Sequence, residues 1–369
     1  MRTRDKGRDY TKFKRQNYQT MKSLILTLDY ELYGNGSGNI YTHIIEPTER
    51  ILTLFGKYRA KITFFVEVVE FWRIEEEWMK GNKMGYSKNP IDDIKKQLQE
   101  ARKQGHDIQL HIHPQWVDAK YRDGEWVVNL ADWRLGGYSK NGELSLENLL
   151  KKGKATLEEW IQPVDAGYKC IALRAGGYNV QPSGELVKAM QTVGLKIDSS
   201  IYPGGKETGI LSNYDYSNIA KDKEFWQTDI ELENEGASGI YELPIVAFPI
   251  KRWKKFASVE RIKSLLQNRK SAKDSFEAKT SNGDGRKSSI IEKIKYFFQD
   301  EWQTWDYCLF SASLHNHFLK EINKQSHRTI YTLVGHPKSF TSGRGAKYLL
   351  DKVYNRFSFK TIREFYNER

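Results

Sequence analysis

The sequence predicts an α/β protein built on a mostly parallel sheet, either a barrel or a doubly wound sheet. Three observations favour this class. Seven short apolar runs recur along the 369 residues, helical patterns lie between most of them, and the intervals are long enough for parallel crossover connections. Hydrophobic residues make up 39% of the chain and aromatic residues 13%, which is enough for a sizeable core and excludes a largely disordered protein. The pattern is not that of an all-β sandwich.

The predicted strands follow one another along the chain, with helical patterns in most of the intervals. We expect strands at 23–28, 61–67, 106–112, 169–175, 196–201, 242–247 and 329–335. The spacing of apolar residues predicts helices near 47–58, around 90–104, around 157–160 and over 184–193. Pro182 supports the start of the last helix, because proline is favoured in the first helical turn.

Three stretches interrupt this pattern and are predicted to be insertions in one domain that spans 23–369. Residues 116–138 contain Asp123 and Gly124 between aromatic and β-branched residues, which indicates a hairpin. Residues 202–239 are rich in Gly, Asn, Asp and Tyr, and we expect long loops there. Residues 271–289 are polar and rich in helix breakers, which is typical of a mobile connection.

Charge and composition restrict the possible partners and location. Half of the net charge of +12 lies in residues 1–22, where eight Lys and Arg stand against two Asp. We expect a flexible, solvated tail, with peripheral membrane contact as the alternative. No nucleic-acid-binding motif accompanies the charge, so no such partner is expected. Only two cysteines, no apolar leader in 1–22 and no run near the ~20 apolar residues of a membrane-spanning helix predict a cytoplasmic protein.

Polar side chains stand at the ends of several predicted strands, where sites gather in parallel α/β folds. Asp29 and Glu31 end the first strand and, by the period-two alternation of a strand, point the same way. Two acids on one face repel each other unless a cation or a shared proton intervenes. The alternative is a solvated strand end.

His111 and His113 repeat this arrangement at the end of the third strand. Two imidazoles and a carboxylate from a neighbouring strand can bind a divalent metal and leave a coordination position open for water, which is the arrangement of catalytic zinc. A structural, hydrogen-bonded role is the alternative for either histidine. His106 lies at the start of the strand, so we expect it at the opposite end of the barrel.

The later strands supply three further candidates. Arg174 ends the fourth strand before two glycines and could fix a carboxylate through two parallel hydrogen bonds, or form a structural ion pair. Asp198 lies in the fifth strand and His336 follows the seventh. Three other late histidines fall in or beside helices and are predicted to be surface or packing residues: His315, His317 and His327.

Together these residues resemble the polysaccharide deacetylase family, carbohydrate esterase family 4, over about residues 23–340. The shared order is an acid pair, a histidine pair, an arginine with glycines and an aromatic residue, an aspartate and a late histidine. The family's first motif reads T-F-D-D-G, whereas 27–31 read TLDYE, with Tyr30 in place of the second Asp. The second motif is H-x-x-x-H after a G-H-E-I-like lead. Here 105–108 read GHDI, His111 is the first histidine and Gln115 stands in the second position, so His113 is the natural substitute.

The resemblance implies a distorted (β/α) barrel with fewer strands than the eight of a regular TIM barrel, in agreement with the seven predicted strands. It also implies a divalent metal, zinc or another transition metal, bound by Glu31, His111 and His113. An activated water would then attack an amide or ester carbonyl.

The resemblance further implies the catalytic groups. Asp29 would be the general base, although it could exchange roles with the other acid of its pair, and Arg174, in the motif RAGGY, would orient it. The backbone N–H of Tyr178 would contact the oxyanion, and His336 would be the general acid. Asp198 would tune that histidine or its partner arginine.

The function implied is the removal of an acetyl group from an N-acetylated sugar. With a cytoplasmic location, a precursor of a surface polysaccharide or cell-envelope glycan is the expected substrate. Aromatic residues that could stack on sugar rings are Trp116, Trp126, Trp133, Tyr178 and Tyr202. Two alternatives stay open: a barrel glycosidase that uses two carboxylates without a metal, and a catalytically silent carbohydrate-binding protein, which the departures at Tyr30 and Gln115 would favour.

Overall fold

The structure, a computed structural model, describes residues 21–237, 239–256, 261–263 and 298–369. The strands are β1 (Ser23–Tyr30), β2 (Thr63–Glu67), β3 (Asp107–Ile112), β4 (Lys120–Arg122), β5 (Glu125–Val127), β6 (Ala172–Ala175), β7 (Ile197–Asp198), β8 (Lys206–Thr208), β9 (Asn213–Asp215), β10 (Trp226–Thr228), β11 (Ile240–Glu242), β12 (Ala247–Lys251), β13 (Asp300–Thr304), β14 (Ile330–Leu333) and β15 (Ser358–Lys360). The predicted mobile connection at 271–289 and nearly all of the basic tail lie outside the described residues.

The helices lie mostly between the strands of the main sheet. They are α1 (Glu46–Gly56), α2 (Val68–Met79), α3 (Pro90–Lys103), α4 (Leu146–Ile161), α5 (Gly184–Val193), α6 (Trp253–Phe256), α7 (Ala312–Lys324), α8 (Arg344–Val353) and α9 (Ile362–Asn367). Within the described ranges, no helix has both the length and the apolar character needed to cross a bilayer.

The main sheet is curled and mostly parallel. Its strand order is β10-β11-β7-β6-β3-β2-β1-β14, and β15 also pairs with the first half of β1. Of the pairs in this sheet only β10 with β11 is antiparallel. An isolated parallel bridge between Ile245 and Thr332 links the segment after β11 to β14 at the far side of the sheet. The predicted α/β class with a distorted, barrel-like parallel sheet is therefore confirmed.

Each of the seven predicted strands corresponds to a strand of the main sheet: β1, β2, β3, β6, β7, β11 and β14. The sixth lies at Ile240–Glu242, slightly earlier than the predicted 242–247. Helix α2 was not predicted. It begins directly after β2, where the Glu67 side chain accepts hydrogen bonds from the first backbone N–H groups, so no polar loop separates strand from helix.

The insertions have local structure of their own. The predicted hairpin is present as β4 and β5, with Asp123 and Gly124 at φ values of 53° and 85°, as a type I′ turn requires. The segment 202–239 holds the short hairpin β8–β9 and strand β10 as well as loops. The division into one domain with a separate tail stays a prediction.

Alternation along each strand divides the apolar residues into two layers. Leu24, Leu26 and Leu28 of β1 pack in the large core between the sheet and its helices. Ile25 instead faces a small interior cluster, whose other members are Phe65, Ala172, Ile197, Leu243, Ile330, Ile362 and Phe365.

The last helix closes the amino end of the sheet. Ile362 and Phe365 of α9 lie in the interior cluster, and the Ile362 N–H donates to Thr63 Oγ1 at 3.0 Å. Arg363 pairs with the buried Asp107 at the start of β3. The amino end of the barrel is therefore filled, and polar side chains gather at the carboxyl end, where active sites form in such folds.

Candidate active site

Glu31, His111 and His113 form a buried group at the carboxyl end of β1 and β3. One ligand atom from each lies within 4.8 Å of the others. Glu31 Oε2 is 3.4 Å from His111 Nε2 and 2.6 Å from His113 Nε2. The residues meet because β1 and β3 flank β2 in the sheet and all three side chains project into the barrel. The structure thus brings the three predicted metal ligands together.

The outer nitrogens of the two histidines bear on whether a metal fits. His111 Nδ1 donates to the carbonyl oxygen of Arg174 at 2.8 Å, so Nε2 is the nitrogen directed at the glutamate. Both Nε2 atoms are buried and form no hydrogen bond, despite their approach to Glu31. Buried polar atoms normally have a partner. Two imidazole nitrogens and a carboxylate oxygen that converge in this way fit a divalent transition metal.

His113 is fixed from behind by two neighbours. Gln115 stands where polysaccharide deacetylases have the second histidine of the motif. Its own Nε2 lies 2.9 Å from His113 Nδ1. The ring also lies directly on Gly176, where an added Cβ would overlap it. Packing therefore requires glycine at position 176, because only the absence of a side chain lets the imidazole lie there.

Lys338 completes the surroundings of Glu31, and the sequence reasoning missed it. Its Nζ lies 2.8 Å from Glu31 Oε1, so one carboxylate oxygen is held by the lysine while the other faces the histidines. Burial alone would raise the pKa of Glu31, but the charge of Lys338 holds it well below its ordinary value. Burial lowers the pKa of His113, against the opposing charge of Glu31. Glu31 is therefore ionised and His113 neutral, as metal ligands must be.

Asp29 lies beside this group and is bound by Arg174. Arg174 Nη1 is 2.6 Å from Asp29 Oδ1, and the fully buried guanidinium also donates to Thr27 Oγ1 and to Ser199. Burial would raise the pKa of Asp29, but the charges of Arg174, His111 and His336 lower it overall. Asp29 is thus an ionised carboxylate in a fixed orientation.

His336 faces Asp29 from the other side. Its Nε2 lies 3.6 Å from Asp29 Oδ2, and its Nδ1 lies 2.9 Å from Oδ2 of Asp306. Burial lowers the pKa of His336, but the hydrogen bond and charge of Asp306, with the charge of Asp29, raise it above its ordinary value overall. A carboxylate with a lowered pKa and an imidazole with a raised pKa thus stand next to each other.

Asp306, the partner of His336, was not predicted. It lies between Trp305 and Tyr307, both fully buried, and pairs with Val334 of the chain beside β14 through an isolated bridge. An acid set between two buried aromatic residues is the one sequence signal that could have identified it.

The resemblance implies that Asp198 tunes His336 or its partner arginine, and the structure does not place it on His336. Ile197 lies in the interior cluster and Ser199 contacts Arg174, so the residue between them points to the opposite face of the strand. There Asp198 accepts hydrogen bonds from the N–H and hydroxyl of Ser200, and it pairs in register with Glu242. Burial raises the pKa of Asp198. The carboxylate on His336 is Asp306, not Asp198.

The predicted aromatic residues divide between the site and the core. The Trp133 ring meets the His113 ring edge to face at 6.4 Å, and the partly buried Tyr178 ends the turn after β6 with a left-handed φ of 64°. Trp116 is 1% exposed and packs on Trp126, so it is a core residue. Tyr202 lies in a buried cluster of tyrosines. His106 lies before β3, at the opposite end of the barrel, and His315 and His317 lie in α7, as predicted, whereas His43, expected in a loop, lies in a helical turn at Tyr41–Ile45.

Comparisons with known proteins give structural likenesses only. No protein-family model matches the chain, and no curated protein matches it. A protein described as a candidate polysaccharide deacetylase from Mycobacterium smegmatis is similar over 94% of this chain and 89% of its own, with 13% identity and a TM-score of 0.44. Puue allantoinase is similar over 94% and 89%, with 11% identity and a TM-score of 0.43. A 4-alpha-glucanotransferase from Thermococcus litoralis is similar over 95% of this chain and 40% of its own, with 13% identity and a TM-score of 0.42. Because these proteins are named for different activities, we argue the activity from the site itself.

Proposed function

We propose that this protein is a metal-dependent hydrolase that removes an acetyl or similar acyl group from the nitrogen of an N-acylated sugar. One observation carries the proposal. A buried Glu–His–His group lies directly beside an ionised carboxylate, Asp29, and an imidazole with a raised pKa, His336. A metal site next to a base and an acid is what amide hydrolysis requires.

The ligands of the metal would be Glu31, His111 and His113. A divalent cation, zinc or another transition metal, would supply positive charge that polarises a carbonyl group and lowers the pKa of water. The sequence resemblance to polysaccharide deacetylases supports the same three residues.

The remaining residues divide the proton transfers between them. Asp29 accepts a proton from the attacking water, and Arg174 keeps the carboxylate oriented and ionised while it does so. As the new C–O bond forms and the C–N bond breaks, His336 donates a proton to the departing nitrogen. Two neighbouring titratable groups with opposite pKa shifts are the usual sign of such a division of roles. The backbone N–H of Tyr178 is our candidate donor to the oxyanion.

The proposed substrate is a cytoplasmic precursor of a surface polysaccharide or cell-envelope glycan. The sequence resemblance supports a sugar, and Trp133 and Tyr178 supply aromatic surface near the metal ligands. The cytoplasmic location is tested by cell fractionation. Recovery of the native protein outside the membrane barrier would contradict it.

The decisive experiment measures bound metal by elemental analysis together with acetate release from a panel of N-acetylated sugars. Wild type is compared with a His111→Ala/His113→Ala double variant and with His317→Ala, a histidine on the outer helix α7, as the control. We expect near-stoichiometric divalent metal and acetate release in wild type and control, and neither in the double variant.

Other results would favour the alternatives. Release of sugar without acetate, insensitive to a chelator, would indicate a glycosidase. Asp29 and Glu31 would be its two carboxylates, since Asp198 points to the other face of its strand. Sugar binding without metal or product would indicate a binding protein. Wild type that takes up no metal after reconstitution would refute the proposal.

A further inference from the structure

A cavity lies beside the proposed metal ligands, behind Lys338. It has a volume of about 250 Å³. Its lining includes Thr42, His43, Arg50, Pro337, Lys338 and Phe340. Lys338 forms a wall common to the cavity and the metal site, since its Nζ is 2.8 Å from Glu31 Oε1. A group held in this cavity would therefore lie one side chain away from the metal ligands.

The cavity has an excess of positive charge. Lys338 is balanced by Glu31, but Arg50 donates only to the carbonyl oxygens of Thr341 and Phe340, at 3.0 and 3.1 Å. Among the described residues, Arg50 has no carboxylate partner and no acidic side chain lines the cavity. The guanidinium is always charged and is solvent-exposed, so it offers a positive charge without an ion-pair partner to a group that enters the cavity.

His43 adds a neutral group to the lining. Its Nδ1 lies 3.0 Å from the backbone N–H of Asn39 and 2.9 Å from the Thr42 hydroxyl, and in the tautomer that accepts both, Nε2 carries the proton. Burial lowers the pKa of His43, which favours this neutral form. A cavity lined by a guanidinium, an ammonium and an imidazole N–H suits an anion.

We infer that the cavity lined by Arg50, Lys338 and His43 binds an anionic group of the substrate, a phosphate or a carboxylate. The inference rests on the proposed function and narrows its substrate class to acylated sugars that carry a negative charge. A guanidinium binds a phosphate and a carboxylate in the same way, through paired N–H donors, so the site could accept either group.

The test compares kcat/KM for three substrates: N-acetylglucosamine, its 1-phosphate and N-acetylmuramic acid. They are neutral, phosphate-bearing and carboxylate-bearing, so the charged arm that reacts faster identifies the source of the anion. We expect wild type to prefer one charged sugar over the neutral one by about tenfold or more. Arg50→Gln should reduce the preference to about twofold or less. Lys57→Gln, which removes a cation just after the end of the same helix but outside the cavity, should keep it.

Equal kcat/KM for neutral and charged sugars in wild type, or a preference that survives in Arg50→Gln, would overturn the inference. Calorimetric titration with N-acetylglucosamine 1-phosphate and with inorganic phosphate separates this outcome from a failure of the proposed function. If no substrate releases acetate but binding of these anions depends on Arg50, the anion site stands and the hydrolase fails. If neutral sugar is hydrolysed with metal dependence and no anion binds, the anion site fails.

Discussion

Replacement of Asp306 by Asn tests the proton-donating role of His336 most directly. Asp306 Oδ2 lies 2.9 Å from His336 Nδ1, and both groups are largely buried. Its other oxygen, Oδ1, accepts the N–H groups of Cys308 and Leu309 at 2.8 and 3.1 Å. An asparagine oxygen can keep those two backbone contacts, so Asp306→Asn should fold while losing the charge that faces the imidazole.

The size of the effect follows from the contact that is lost. A hydrogen bond to a charged partner contributes about 1.5–3 kcal/mol, and ~1.36 kcal/mol corresponds to tenfold. The proton affinity of His336 should therefore fall by roughly 10- to 100-fold. Since Asp306 raises the pKa of His336, and the protonated form is the acid, activity is lost as the pH rises through that pKa. The alkaline limb of kcat/KM should move to lower pH in the variant.

Two measurements check this prediction. The pH dependence of kcat/KM is compared for wild type, Asp306→Asn and Asp300→Asn, which makes the same change at an exposed ion pair with Lys251. NMR titration of the His336 ring in the metal-free protein supplies a readout that does not depend on turnover. An alkaline limb and a ring titration that both stay in place in Asp306→Asn would refute the acid role of His336 and the tuning role of Asp306.

Two further predictions concern parts of the barrel at opposite ends. Gly176→Ala should displace the His113 ring and weaken metal binding by about 10- to 100-fold in a competition titration. Gly56→Ala, where an added Cβ meets nothing within 4 Å, is the control and should not change the affinity. Unchanged affinity in Gly176→Ala would show that His113 is not a ligand. Phe365→Ala should lower the free energy of unfolding by about 3–5 kcal/mol in a denaturant titration, because the side chain fills the interior cluster. Metal affinity should stay unchanged, since this cluster lies at the end away from the metal ligands. A loss below about 1 kcal/mol would show that Phe365 does not fill the amino end of the barrel.

Alternation and apolar runs were enough to predict the sheet and part of the site. The apolar run 23–28 predicts a strand, and Asp29 and Glu31 lie at its carboxyl end on one face. His111 and His113 have the same arrangement at the end of the third strand. Helix α2 was missed because nothing polar separates it from β2, and β15 was missed because three residues are too few for a pattern.

The differences within the site have another cause. Asp198 was assigned by the order of motifs to tune His336 or its partner arginine. Strand alternation, counted from the inward-facing Ile197, points its side chain away from His336, and its role toward the arginine stays a prediction. Asp306 and Lys338 belong to contacts that join chain segments far apart, to His336 and to Glu31 respectively. Only the folded chain brings those partners together, and the one local signal is the pair of aromatic residues that flanks Asp306.

The pairing of β1 has a consequence for how the chain is made. Its neighbours β14 and β15 lie roughly 300 positions later in the sequence, and they cover opposite edges of its first half. At about 5–20 residues per second, a ribosome needs roughly 15–60 seconds to supply them after β1 has emerged. Throughout that interval an eight-residue apolar strand has no partner for that half of its backbone, which is the condition under which strands associate with other chains. The first half of β1 can therefore form its native pairs only after the last part of the sheet has been synthesised.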